Sequence, residues 1–529
     1  MEVFPNSEVR LLKGCKIDPD YDNTAYFSNR TYQENYFEDL VVKRFTNLTY
    51  QRHTKDSITV QASIGEIYGC NYMMFKNISF ENKWFYAFIK DIEYVNTITS
   101  RVYYEIDVIQ TWLFDFKDNF EPTFIEREHS ATDYIGANFV EEGLELGEYT
   151  HSKAFPKNSA SADPTFTDFK VCVLASVDTV GLNAFGLFYE AVYSGLRFLV
   201  FDTASAVNSF LDTITTANKA DAVVAIFMVP TIFANKLRTG TNVGEVPGVT
   251  EDIIVRYEPL NTFGIYGDYT PKNNKLFCMP YCGLLLTNNE GQTVTLGMQY
   301  RNGITDYNPV NPDFKMYLSC SGVNTLEYSI TPMDYGGALQ NHLLRLTISG
   351  SPMCSYNIDT YRAWLAQNRA TLAVDTAFGV GNTIANFATG DISGGVSSLH
   401  GIANSLATVY TKSTEPPTVK GNVGTGALNI NNGIFGFTAY HVAITEQYAR
   451  IIDDYFTMFG YATKRVKIPN LTSRPNWNYI KTLNCCVHGD MPSEVTNKIN
   501  NIFDNGIRFW RDATNIGNYS LNNAPIGVG

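Results

Sequence analysis

Residues 83–114 read KWFYAFIKDIEYVNTITSRVYYEIDVIQTWLF. The run is dominated by aromatic and β-branched side chains, which suit a half-buried pleated surface. In its second half Val102, Tyr104, Ile106 and Val108 alternate with Tyr103, Glu105, Asp107 and Ile109. A period of two places one set on a buried face and the other toward solvent, the pattern of a strand. The intervening NTITS (96–100) is a hairpin connection, so residues 55–114 are expected to form antiparallel β-structure.

Working outward, the rest of the chain carries the same bias. Aromatic residues make up 14% of the 529 residues, with 34 Phe, 33 Tyr and 5 Trp. Strand-like runs recur at 170–177, 222–230, 275–287 and 293–300. Asn302-Gly303 and Asn308-Pro309 mark turns, and 202–219 is a candidate helix. Residues 356–375 switch to helical spacing through Tyr361, Trp364, Leu365, Asn368 and Leu372. Helical spacing returns at 438–461 through Val442, Thr445, Tyr448, Ile451/Ile452 and Tyr455, with Gly460 as a C-terminal stop. Residues 464–471 and 477–490 read as strands. Residues 493–510 read as a last helix that Ser493 would cap.

The expected class is mainly β with some α (α+β), built from antiparallel barrel or sandwich domains. The expected divisions are 1–150 and 151–355, both β-rich, then 356–437, a helix with a long glycine-, alanine- and serine-rich loop. The last, 438–529, is a helix–strand–helix ending.

Charge narrows the function. The net charge is −13 and charged residues are 18% of the chain. Gripping DNA requires Lys and Arg to neutralise phosphates, so a nucleic-acid-binding protein is disfavoured. An acidic wall past which DNA slides is compatible, because it repels phosphates. The nine cysteines show no disulfide framework. Cys278/Cys282 and Cys485/Cys486 are the clusters, and no histidines are read beside them at ligand spacing. Buried free thiols and no metal site are therefore expected, with assembly in a reducing cytoplasm. The opening MEVFPNSEVR has no secretory pattern, and no eighteen-residue apolar run predicts a constitutive transmembrane helix.

Catalytic signatures are scarce. There is no Gly-Lys dipeptide for a phosphate-cradling loop, no His-Glu pair for a zinc protease helix and no GxSxG elbow. Gly379-Val-Gly381 holds two of three fingerprint glycines without a preceding strand. No cofactor is expected. The densest polar cluster, Glu126-Arg127-Glu128-His129, could do acid/base work such as glycan hydrolysis, or could be an ion-paired strand end.

Residues 371–410 are TLAVDTAFGVGNTIANFATGDISGGVSSLHGIANSLATVY, with two acids and no lysine or arginine. Val374, Phe378, Gly381, Ile384/Ala385 and Ala388 form one apolar stripe; Ile392, Val396, Leu399, Ile402/Ala403, Leu406 and Val409 form another, and Leu372 and Phe387 join the candidate membrane-insertion residues. GDISGG (390–395) breaks between them. A helical hairpin with arms of about 16–18 residues would span about 25 Å per arm, close to the roughly 30 Å of a hydrocarbon core. Neutralising Asp375 and Asp391 at low pH would remove the largest insertion costs. Small-residue helices also pack tightly within soluble oligomers, and composition leaves both readings open.

Several blocks resemble the tail knob (distal tail tube) proteins of phi29-like short-tailed bacteriophages. They are NYMMFKNISFENKWFYAFIKDIEYVN (71–96), YYEIDVIQTWLFDF (103–116), EREH (126–129), KRVKIPNLTSRPNWNYIKT (464–482) and NIFDNGIRFWRDATNIGNYSLNN (501–523). The resemblance implies a non-enzymatic, homohexameric β-walled tube at the distal end of the phage tail. Its implied partners are other tail and lower-collar proteins, the host cell membrane, and genomic DNA passing through the lumen without sequence-specific binding. It also implies a hydrophobic loop, here about 371–437, that plugs the tube and then forms a pore in the host cytoplasmic membrane during ejection. Residues 150–355 depart from the family pattern, and no motif marks the lumen. Two other readings compete: a tail-tip cell-wall hydrolase using Glu126, Glu128 and His129, and a structural or receptor-binding tail protein whose segment 371–410 is only packing.

Overall fold

The computed structural model describes residues 6–48, 56–138, 140–154, 265–297 and 435–523. Between 169 and 420 it further describes 169–176, 188–189, 192–193, 196–201, 204–216, 223–236, 243–245, 253–256, 299, 313–321, 325–333, 345–349, 353–354, 356–357 and 419–420. The chain forms two units. The first comprises 1–147, 269–276 and 446–529, and the second comprises 148–268 and 277–445.

The first unit begins with β1 (Ser7–Lys13), β2 (Thr24–Ala25), α1 (Arg30–Asp39), β3 (Val41–Leu48), β4 (Ser57–Val60), α2 (Ile64–Ile67), β5 (Cys70–Asn77), β6 (Phe85–Asn96), β7 (Thr99–Ile106), α3 (Val108–Phe116) and β8 (Thr123–Glu128). Six strands make an antiparallel sheet in the order β3-β1-β5-β6-β7-β4. Both of its faces are covered. On β5, Tyr72 and Met74 enter one core while Met73 and Phe75 enter the other. On β6, Tyr86 and Phe88 go one way and Ala87 the other. On β5 and the start of β6 the period of two thus divides side chains between two cores, whereas on β7 buried Val102 and Tyr104 alternate with half-exposed Tyr103 and Glu105, as the sequence predicts.

The strand ends at Ile106, short of the alternation read through Ile109. Asp107 accepts a hydrogen bond from Gln110 N at 3.0 Å and so caps α3. Val108 and Ile109 are therefore helical, and the strand expectation fails for 108–114 because a capping side chain lies inside an alternating run. The larger core packs α3 against the C-terminal residues, including Phe503, Phe509, Trp477 and Trp510. Both tryptophans are fully buried, with ring centroids 4.9 Å apart.

A five-stranded sheet completes this unit in the order β2, Ile507–Trp510, Trp477–Leu483, β8, Tyr461–Lys467. Its one parallel pairing joins β2 to Ile507–Trp510. The last helix is Ser493–Asn505, and the expected helical residues 507–510 are this strand. Pro492, not Ser493, holds the cap position, with no side-chain bond. Gly506, at φ +102°, breaks the helix from the strand.

The second unit contains a five-stranded sheet (243–245, 196–201, 169–176, 223–230, 353–354) and two four-stranded sheets. One of these runs 253–256, 313–321, 325–332, 346–349; the other runs 293–296, 282–287, 438–444, 149–154. All their pairings are antiparallel. The expected strands at 170–177 and 222–230 and the helix within 202–219 are present as Phe169–Ser176, Val223–Pro230 and Ala204–Thr216. Two expectations shift. Residues 274–277 form a short 3-10 turn, and the strand starts at Cys282. Residues 438–444 form a strand, and only Glu446–Phe459 is helical. The inward residues of that helix are Ala449, Ile452, Asp453, Phe456 and Thr457, whereas Ile451 is 59% exposed. Apolar spacing carried across a strand–helix junction displaced the expected stripe by one residue.

Among the described residues no helix is long and apolar enough to cross a membrane. The expected stripes of 371–410, with Asp375 and Asp391, lie outside the described residues; of the helix expected over 356–375 only Tyr356–Asn357 is described, and it is a strand.

Candidate functional site

The Glu126–His129 cluster lies at the end of β8, where it meets the C-terminus of the helix Glu446–Phe459. A helix leaves its last carbonyls without intrahelical partners. Here buried side chains satisfy them. Thr457 O accepts from Trp477 Nε1 at 3.1 Å and lies 2.9 Å from His129 Nε2. Met458 O accepts from Arg508 at 2.9 and 3.2 Å. Phe459 O and Gly460 O accept from Arg127 at 3.1 and 2.8 Å. Two guanidinium groups thus sit at the negative end of the helix dipole. Gly460 turns the chain at φ +64°. A Cβ there would stand 2.3 Å from the Glu128 carbonyl, so only glycine fits.

His129 is wholly buried. Its Nδ1 accepts from Tyr479 N at 2.8 Å, which leaves Nε2 to carry the proton toward Thr457 O. Burial, with Arg474 and Arg508 nearby, holds its pKa well below the ordinary histidine value, so the ring is neutral. Glu128 is also buried. Its pKa is pushed up by loss of solvent against the opposing pull of Lys467, its ion-pair partner. Glu126 pairs with Lys481 at 3.1 Å at the surface. Arg127 and His129 are therefore engaged in holding the helix end, while Glu126 and Glu128 are ion-paired to lysines of the neighbouring strands. This is the ion-paired strand end, and it offers no observation for the hydrolase reading.

A second polar knot pins residues 269–276 to the same helix. Asp453, fully buried, accepts from Tyr269 OH at 2.5 Å, Lys272 N at 2.7 Å, Asn273 N at 3.1 Å and Asn273 Nδ2 at 2.9 Å. Tyr461 OH donates to Asp133 at 2.9 Å and lies 3.1 Å from Asn273 Oδ1. Glu142 joins both Lys275 and Arg127. These partners lie far apart in sequence, so nothing local announced them.

The surface carries different chemistry. Beyond Lys90 the β6–β7 hairpin is mostly solvent-facing and ends in exposed Tyr94, Val95 and Ile98, the last 71% exposed. β3 and β4 are the sheet edges. Elsewhere Glu121, Cys486 and His488 bring a carboxylate, a thiol and an imidazole within 4.8 Å of one another. The expectation of no histidine near the cysteine pair is corrected: Cys486-Val487-His488 supplies one at a spacing of two. The Cys-x-His spacing was the legible signal; Glu121, from the other end of the chain, was not.

Residues 242–524, more than half of the chain, match the family model described as the C-terminal domain of the Bacillus phage phi29 tail knob protein gp9. The chain belongs to the phi29-type tail knob family. Residues 5–117 of this tail knob chain also match a caudoviral major tail protein N-terminus. The chain is 27% identical to tail knob protein gp9 of Bacillus phage PZA, and 26% identical to that of phage phi29. Each comparison covers 98% of both chains. The solved tail knob protein gp12 of bacteriophage C1 shares the fold at 13% identity, with a TM-score of 0.65 over 96% of this chain and 97% of that one. The mainly antiparallel fold agrees with that of the solved tail knob protein.

Proposed function

We propose that this tail knob protein forms a hexameric channel for genome ejection, with its 371–410 segments plugging the lumen and then entering the host cytoplasmic membrane as a pore. The observation that carries the tube reading is the six-stranded sheet. Its edges, β3 and β4, lie at the ends of the strand order, and its longest hairpin presents Tyr94, Val95 and Ile98 to solvent. Edge strands and exposed apolar tips are surfaces that neighbouring copies can cover. In this reading 1–150 and 438–529 build the tube, 151–355 forms its outer or lower part, and 356–437 carries the plug. The net charge of −13 supports a wall that DNA slides past.

The plug rests on the sequence of 371–410. Its apolar faces can be hidden in a lumen or in lipid, so a trigger need only shift a balance. Protonation of Asp375 and Asp391 would favour the lipid state. The purified assembly should have the mass of six chains and should release dye from anionic liposomes, more at acidic than at neutral pH. A variant lacking 371–410 should keep its mass and release nothing. Lys at Ile384 and Leu399 should likewise spare assembly, since each mid-bilayer charge costs about 2.5–3.5 kcal/mol on insertion. Equal release by the deletion variant would end the pore reading while leaving the tube.

A further inference from the structure

Phe120 and Val487 form an isolated antiparallel bridge. Glu121 N donates to Cys486 O at 3.0 Å, and His488 N donates to Asn119 O at 2.8 Å. Phe120 and Val487 point into the core. Side chains alternate across paired extended segments, so their neighbours must point outward. Glu121 therefore faces Cys486 directly, and His488 follows on the same side. Of the seven cysteines whose burial the structure describes, Cys486 alone is not buried.

The geometry is that of a metal-ligand set. Cys486 Sγ lies 3.8 Å from His488 Nε2. Tetrahedral zinc, with bonds of about 2.3 Å to sulfur and 2.0–2.1 Å to nitrogen, requires a separation of about 3.6 Å. His488 Nε2 lies 2.7 Å from Glu121 Oε1, shorter than the roughly 3.4 Å between nitrogen and oxygen ligands of one zinc ion. Opening that contact takes well under 1 Å, estimated from those bond lengths. Both side chains are more than half exposed and free to move by that much. Thiolate and imidazole select zinc-like ions over magnesium or calcium.

We propose that Glu121, Cys486 and His488 bind a zinc ion, leaving the fourth position open to water or to a group from a neighbouring molecule. The ion would cross-link the 119–121 and 486–488 segments. On binding, the Cys486 thiol gives its proton to solvent and the sulfur bonds the metal, so zinc uptake releases protons.

The full-length protein, stripped with a chelator, is titrated with zinc alone by calorimetry, and with cobalt(II) as a spectroscopic probe. The expected result is one high-affinity zinc per chain, proton release, and a thiolate-to-cobalt charge-transfer band. Cys486→Ser and His488→Ala should each weaken binding by more than about tenfold, at least the effect of losing a supporting partner of a metal ligand. Glu121→Gln should weaken it too. All three positions are at the surface, and circular dichroism checks that the variants fold. If the double variant Cys486→Ser/His488→Ala binds zinc as tightly and in the same number as the unaltered chain, the proposal is overturned. Absence of the cobalt–thiolate band overturns it as well.

Discussion

Two acid–histidine groups lie in the same unit of this protein and differ in almost everything but residue type. Glu128 and His129 are about 2% and 1% exposed. The histidine uses both ring nitrogens to hold the backbone around a helix end. Glu121 and His488 have side chains 59% and 57% exposed and contact mainly each other and a thiol. The first group was the more conspicuous in sequence because its members are contiguous. Contiguity in a strand, however, sends neighbours to opposite faces. The second group converges because two extended segments pair across it. Burial commits a polar group to structure, whereas convergence at the surface leaves it available to a ligand.

The largest effect is expected where the buried arrangement is densest. Asp453→Ala would leave Tyr269 OH, Lys272 N and Asn273 without their acceptor. A loss of about 4 kcal/mol is expected, since each buried donor left unpaired costs about 1–3 kcal/mol. Urea unfolding followed by fluorescence of Trp477 and Trp510 would measure it. A loss below about 1 kcal/mol would break the link between burial and structural commitment.

Asp107 sharpens the contrast through pH. It is buried, bonded to Tyr72 OH at 2.7 Å and to Gln110 N, and loss of solvent raises its pKa from 3.8 to about 6. Its native pKa exceeds its unfolded one, so the native state holds the proton more tightly. The stabilisation is complete below about pH 4 and is lost as pH rises through 6, by about 3 kcal/mol at 1.36 kcal/mol per pKa unit. Asp107→Asn keeps a capping side chain and should flatten that slope. An unchanged slope in urea melts from pH 4 to 7 would assign it to another group.

His129 works in the opposite sense. Its native pKa is depressed, so the unfolded chain takes up a proton that the native ring refuses. Stability should fall as pH drops below about 6.5. His129→Gln should cost about 2 kcal/mol at pH 7 through the unpaired Tyr479 N–H, and should remove that acid-side loss. Persistence of the loss in the variant would show that His129 is not its source.

How far the sequence led follows from the range of each signal. The strands around 85–106 were legible because a period of two is local. The helix at 108–116 was hidden by its own cap, Asp107, which sits in register with the alternation. Residues 438–444 were misread because strand and helix share apolar positions across the junction. The Asp453–Asn273 and Tyr461–Asp133 bonds were illegible, since each joins segments more than a hundred residues apart. Cys486-x-His488 could have been found from spacing, but its third member could not.

The smallest effects should fall on the exposed carboxylates. Glu126 pairs with Lys481, and the two side chains are 35% and 40% exposed. Glu121 meets only His488 and Cys486 at the surface. Exposed pairs gain little because solvent screens the attraction and ordering long side chains costs entropy. In metal-free buffer, Glu126→Gln should change unfolding free energy by less than about 1 kcal/mol, and Glu121→Gln should leave the urea midpoint unchanged. With zinc present, only the Glu121 variant should lose ground, because the unaltered chain gains stability from an ion that binds its native state alone. A metal-free loss above about 2 kcal/mol at Glu126, or a clear drop in the urea midpoint at Glu121, would mean that exposure does not separate structural from available carboxylates in this protein. The buried and surface groups would then differ in degree rather than in kind.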